Sequence, residues 1–155
     1  MVLEIKKYGE AVLKKKAEEV KEITPEIKEL IFNMKETLQN AQGVGLAAPQ
    51  IGELKRIIIV EREAFLNPKI IKKSEETEIK EEGCLCIPGL FLKIKRAIEV
   101  EIEAQKEGGE SIKIKAKGLL ARIFQHEIDH LDGILILDKI PFWQKWKFKK
   151  QLKNI

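Results

Sequence analysis

The chain is poor in the residues that usually staple a fold or mark a site: it has two cysteines and two histidines among 155 residues, and aromatic side chains make up 6%. Cys84 and Cys86 are one residue apart, which cannot frame a disulfide-stapled domain and suggests metal or redox chemistry in a reducing compartment. No staple is needed, because a single domain over 1–155 can bury roughly two thirds of its unfolded surface. Long apolar runs are also missing. The longest, Ile57 to Val60 and Ile134 to Leu137, fall far short of the roughly 20 residues that cross a bilayer, and no basic segment followed by an apolar core opens the chain. We therefore read a cytoplasmic protein without a membrane partner. Arginine and aspartate are scarce: four of the 29 basic residues are Arg (56, 62, 96, 122) and three of the 25 acidic ones are Asp (129, 132, 138). A Lys/Glu-rich surface of this kind is typical of proteins from hot environments. The net charge of +4 is a small excess over many charges of both signs and does not by itself mark a nucleic-acid binder.

What is present concentrates in Gln125-His126-Glu127-Ile128-Asp129-His130, which holds both histidines. On a helix, positions i and i+4 share a face, so both imidazoles can address one ion while Glu127 reaches a water bound to it. At about 100° per residue, His126 and His130 share a sector with Leu119 and Ile123, the side that a soluble helix buries. Arg122, Gln125 and Asp129 fall on the opposite side, which makes Asp129 a poor ligand candidate.

Two histidines cannot complete a tetrahedral site. Cys84 is the natural third ligand, leaving the fourth position open for water and hence for catalysis. Cys86 keeps an alternative alive, a closed structural Cys2His2 site in a metal-stapled binding module. A zinc endopeptidase of the His-Glu-x-x-His type is a further alternative, but it would need a downstream Glu or His ligand, and no third His exists.

Along the chain, Ala11 to Val20 reads as a short helix. A second helix has Thr24 as N-cap, Pro25 at its first position, an apolar stripe from Ile27 to Ala41 and a stop at Gly43. The run Gly43-Val44-Gly45-Leu46-Ala47-Ala48-Pro49-Gln50 reads as a tight loop of small residues. Arg56 to Val60 reads as a buried strand, Phe65 to Lys73 as an extended segment broken by Pro68, and Glu75 to Glu82 as a charged connection. Alternating apolar residues from Ile98 to Ala116, with Gly108-Gly109 between, form a hairpin. Gly118 and Gly133 bracket the histidine helix. The expected class is α+β: antiparallel β-sheets around a central metal-binding helix, with N-terminal helices and a C-terminal helix.

Three segments together, Gly43 to Gln50, Glu82-Gly83-Cys84-Leu85 and Gln125 to Leu131, resemble the three ordered motifs of the peptide deformylases. Weaker similarity covers nearly the whole chain, including Tyr8 to Val20 and Asn67-Pro68. Cys86 departs from the pattern, standing where the family usually has Ser, and the connection from Glu61 to Ala64 is shorter than in many relatives. The resemblance implies removal of the N-formyl group from the initiator methionine of nascent polypeptides, with release of formate. It assigns Cys84, His126 and His130 to the metal and Glu127 to acid–base work. It places Gln50 and the Leu85 backbone N–H at the oxyanion, and Gly45 beside the substrate backbone. The family works with one divalent ion, typically Fe(II) in the cell, with Zn, Ni or Co able to take the same ligands.

An apolar methionine pocket is expected from Ile87, Ile123 and His126, with Leu90 and Phe91 lining the next subsite. The stretch 141–155 reads as a basic C-terminal helix in which Lys145, Lys147, Lys149, Lys150 and Lys153 alternate with Trp146, Phe148 and Leu152. It is either a solvated helix whose aromatics pack on the body or, as the resemblance implies, a contact to ribosomal RNA.

Overall fold

A computed structural model describes residues 1–153. The first long element is helix α1, Pro25–Ala41, where the Thr24 hydroxyl accepts the Ile27 N–H at 3.3 Å. That bond satisfies one of the donors a helix start leaves free. The helix ends on Gln42 in a left-handed conformation (φ 56°), one residue earlier than the expected stop at Gly43.

Strands β1 (Gly45–Ala47), β2 (Ile57–Val60), β3 (Glu63–Lys73), β6 (Glu99–Gln105) and β7 (Ser111–Lys117) form a five-stranded antiparallel sheet in the order β1-β2-β3-β6-β7. Strands β4 (Thr77–Cys84) and β5 (Ile87–Ala97) pair as a separate two-stranded sheet. Helix α2, Gly118–Leu131, lies between the two sheets. This is the expected α+β arrangement.

The run Ile57-Ile58-Ile59-Val60 is buried throughout because the strand divides it between two cores. Ile58 and Val60 point toward α2, where Phe65 and Phe124 meet edge to face at 5.2 Å. Ile57 and Ile59 point the other way, against Ile31, Met34 and Leu38 of α1. Alternation at period 2 thus joins both helices to one strand, and each buried isoleucine contributes about 1.5–3 kcal/mol. A third core, with Leu13, Cys86, Ile87, Leu92 and Ile94, packs β5 onto Leu135, Ile136 and Leu137.

Several expectations change. The segment 11–20 makes only one 3-10 turn, Ala11–Lys14, and then runs extended, its Ala17 N–H donating to Leu131 O at 2.8 Å and Glu18 bridging to Lys55. Partners elsewhere in the fold outweigh its helical pattern. Residues 77–82 of the supposed charged connection 75–82 belong to β4, and β5, which the alternation after Pro88 did not separate out, is its partner. Small residues 45–51 form β1 and a 3-10 turn, Ala48–Ile51, in place of a plain loop. Segment 63–73 stays one strand across Pro68 by shifting register between Leu66 and Lys69, with Asn67 at φ 50° bonding both backbone groups of Val20. Gly133 follows α2 with φ 74°, and a Cβ there would meet the Lys14 carbonyl at 2.5 Å, so the return of the chain requires glycine.

The C-terminal helix is broken into α3 (Phe142–Lys145), a 3-10 turn (Trp146–Phe148) and α4 (Lys149–Lys153), and residues 154 and 155 of the expected helix lie outside the described residues. No described helix is long and apolar enough to cross a membrane.

Candidate metal centre

One cleft of about 570 Å³ between α2, β5 and the β1 segment brings together Gly45, Gln50, Cys84, Leu85, Ile87, Leu90, Phe91, Ile123, His126 and Glu127. His130 stands behind it, 1% exposed. The helix face assigned to the core on periodicity turns out to be the wall of this cleft. Leu119 lines it and is 70% exposed, whereas Arg122 and Gln125, placed on the wet side, are buried. Helix α2 is covered on nearly all sides, so a two-sided reading of its pattern fails.

Donor atoms of Cys84, His126 and His130 all lie within 4.8 Å of one another. The two imidazole rings converge at 5.1 Å, and His130 Nε2 is 3.3 Å from Cys84 Sγ. His126 is oriented by its Nδ1, 2.9 Å from Glu82 Oε1, which leaves Nε2 for an ion. A soft thiolate with two imidazoles suits a divalent transition ion, so the residues fit the group. Cys86 Sγ lies 3.1 Å from Cys84 Sγ yet is outside the triad among the described residues, and Asp129 is also outside it, paired with Arg96 and Lys139.

Glu127 is buried at the cleft floor, its Oε1 without a hydrogen-bond partner. Burial pushes its carboxyl up to about 7, against the pull of the neighbouring His126. Gly45 makes this placement possible, since a Cβ there would come within 2.5 Å of Glu127 Oε2. His126 is held well above the ordinary imidazole range although burial opposes it, because Glu127, Cys84 and Glu82 surround it. The surroundings therefore favour positive charge at His126. Gln50 is buried with its Oε1 accepting the Ala47 N–H at 2.8 Å, which turns its Nε2 toward Cys84 Sγ, 3.6 Å away. Leu85 sits in the turn between β4 and β5.

Behind His126 lies a web that our sequence reading missed. Glu82 accepts from Arg96 Nε at 2.9 Å and Nη2 at 3.0 Å and from Arg122 Nη1 at 2.6 Å, and Arg96 also pairs with Asp129. Arg122 further donates to the carbonyls of Ile94 and Glu78 at 2.8 and 2.7 Å, tying α2 to both strands of the hairpin. Burial pushes Glu82 up, but its bonds to His126 and Arg96 outweigh that and hold it at about 2. A signal was available: Glu82 shares a strand face with Cys84, and arginine is rare in this chain.

A cysteine and two histidines beside the buried carboxylate of Glu127, at the floor of a largely apolar cleft, form a site of the kind a metal-dependent hydrolase needs. The sequence matches the polypeptide deformylase family over residues 2–146. It is 49% identical to the peptide deformylase of Thermodesulfovibrio yellowstonii over 99% of this chain and 98% of that one. Its fold is similar to peptide deformylase from Ehrlichia chaffeensis in complex with actinonin, with TM-score 0.95 and 34% identity over 99% of this chain and 96% of that one. For the enzyme of Thermotoga maritima the TM-score is 0.89, with 39% identity over 91% and 99%. The chain belongs to the peptide deformylase family, and its activity is that of a metal-dependent deformylase.

Proposed function

We propose that the cleft removes the formyl group from the amino terminus of formyl-methionyl nascent chains, with Cys84, His126 and His130 holding one divalent ion, Fe(II) in the cell. When bound, such an ion brings the pKa of a water toward neutrality and polarises the formyl carbonyl. Glu127 takes the proton of the attacking water and passes it to the departing amine. The Gln50 amide and the Leu85 N–H donate to the oxyanion that develops on the formyl oxygen. Gly45 borders the substrate backbone. Ile87, Ile123 and the His126 ring receive the methionine side chain, Leu90 and Phe91 line the next subsite, and the apolar walls exclude competing water.

The observation that carries this reading is Glu127, buried beside the donor triad with one oxygen unpartnered and its carboxyl near 7, where it can both accept and return a proton. Glu127→Gln should retain the metal and lose roughly 10²–10⁴-fold in kcat on formyl-Met-Ala-Ser. Cys84→Ala should lose metal and activity together. Metal loss in Glu127→Gln would make that residue a ligand, and cleavage of an internal peptide bond would restore the endopeptidase reading.

We further propose that the tail meets ribosomal RNA. Phe142, Trp143 and Trp146 are mostly exposed, with Lys147 and Lys149 lying 5.5 and 5.1 Å over the Trp143 and Trp146 rings, while Phe148 and Leu152 pack on the third core. The tryptophans are thus available as stacking surfaces among cations. Deleting 146–155 should leave peptide deformylation intact and weaken ribosome co-sedimentation in a salt-dependent way. Equal sedimentation at low salt would remove the idea.

A further inference from the structure

The two sulfurs, at 3.1 Å, stand closer than packing alone asks, and both are free. We propose that Cys84 and Cys86 form a reversible oxidation site, in which a peroxide joins them in a disulfide that withdraws Cys84 from the metal triad and a dithiol restores it.

The geometry is prepared for this step. A disulfide needs sulfurs at about 2.05 Å, so the two sulfurs have about 1 Å to close. The pair flanks Leu85 in the turn where the β4–β5 register slips between Gly83 and Cys84, so the distortion falls on irregular backbone and leaves the regular ladder above it. Cys84 is partly exposed and lines the cleft, whereas Cys86 is 0% exposed within the core of Leu13, Ile87 and Leu135. A small oxidant entering the cleft therefore meets Cys84 first and finds Cys86 already beside it.

The chemistry closes with a peroxide as the only co-reactant. The Cys84 sulfur attacks one peroxide oxygen, the O–O bond breaks, a water leaves and Cys84 becomes a sulfenic acid. The Cys86 sulfur then attacks that of Cys84, the S–O bond breaks and a second water leaves carrying the Cys86 proton. Two thiols have given two electrons to one hydrogen peroxide. Without Cys86 nothing adjacent traps the sulfenic acid, and further peroxide carries Cys84 to the irreversible sulfinic and sulfonic acids. Cys86 thus makes oxidation of the metal-binding cysteine recoverable. Loss of metal on disulfide formation rests on the assignment of Cys84 as a ligand, while disulfide formation itself does not.

The test treats zinc-loaded and zinc-free protein with excess hydrogen peroxide, then follows thiol titration under denaturing conditions, intact mass and zinc content. Both thiols should disappear together, the mass should fall by two hydrogens, zinc should leave, and dithiothreitol should restore both thiols and zinc binding. Cys86→Ser under the same treatment should gain two or three oxygens on Cys84 and recover neither. The proposal is overturned if the unaltered protein gains oxygens on Cys84 while Cys86 stays titratable, or if Cys86→Ser recovers equally well. Disulfide formed with zinc retained would instead overturn Cys84 as a ligand, and with it the second half of the proposal.

Discussion

Two arrays of charge in this molecule use nearly the same chemistry at opposite ends of the burial scale. On the open face of β6 and β7, Glu99, Glu101 and Glu103 stand opposite Lys117, Lys115 and Lys113, with nitrogen–oxygen distances of 3.5, 3.9 and 3.8 Å and lysines 70% or more exposed. Behind His126, Glu82, Arg96 and Arg122 meet at 2.6 to 3.0 Å with side chains 4–8% exposed. Exposed pairs of long, flexible chains gain little, because water screens them and holding them together costs entropy. Buried charges gain no large net stability either, since desolvation offsets attraction, but removing one partner strands the others. The outer array is therefore replaceable piece by piece, while the inner one works only whole. Its arginines suit the task because a planar fork binds a carboxylate in one orientation.

Glu82→Gln tests that contrast at its strongest point. It keeps shape and one acceptor but leaves Arg96 buried with Asp129 as its remaining anion and Arg122 buried with only the carbonyls of Ile94 and Glu78. Urea unfolding should show a loss of about 3–5 kcal/mol. Zinc affinity should fall by about 10–100-fold, because His126 loses the carboxylate that orients it. A loss below about 1 kcal/mol would mean the web is dispensable and the contrast misplaced.

The pH dependence of the metal-free protein separates the two buried carboxylates of the site. Glu82 is held at about 2 from the usual 4.5, so its contribution is complete above pH 4.5 and is lost as pH falls toward 2. Glu127 is shifted the other way, from 4.5 to about 7. Between those values the folded protein keeps a proton that the unfolded chain releases, so stability falls as pH rises from 4.5 to 7. Each effect is on the order of 3 kcal/mol. From these two groups, stability should peak near pH 4.5, and Glu127→Gln should flatten the alkaline side alone. A curve that climbs steadily to neutrality in the metal-free protein would contradict the shift at Glu127.

The parts of this architecture legible in the sequence are those whose partners are near or whose period is regular. Helix α1 and the β6–β7 hairpin follow from their stripes, and His126, Glu127 and His130 from chemistry at short spacing, while distant Cys84 follows only because two histidines leave a tetrahedral site short of a ligand and cysteine is scarce. Strand β4 was not legible, since Thr77-Glu78-Ile79-Lys80-Glu81 lies mostly exposed in a two-stranded sheet and needs no apolar alternation. Nor was the web. Averaging by helical face puts Arg122 in water, and only the fold brings Glu82 to it from 40 residues away. The one-turn start at Ala11–Lys14 shows the same limit, for what ends it is the backbone of Leu131 and Lys55.

The smallest effect belongs to the outer ladder. Changing Lys113, Lys115 and Lys117 to Gln removes all three cross-strand attractions while keeping a polar side chain with part of each aliphatic stem. Each pair contributes a few tenths of a kcal/mol, so the triple variant should lose less than about 1 kcal/mol at 25 °C, and added salt should erase much of the difference. Salt should leave the Glu82→Gln deficit nearly unchanged, because charges without water around them are not screened by ions. The ladder's share should grow on heating, since desolvating ions costs less as temperature rises. Thermal melts at low and high salt for both variants therefore give a two-by-two comparison. If the triple variant melts as early as Glu82→Gln, or if both respond to salt alike, depth of burial is not what divides these two arrays.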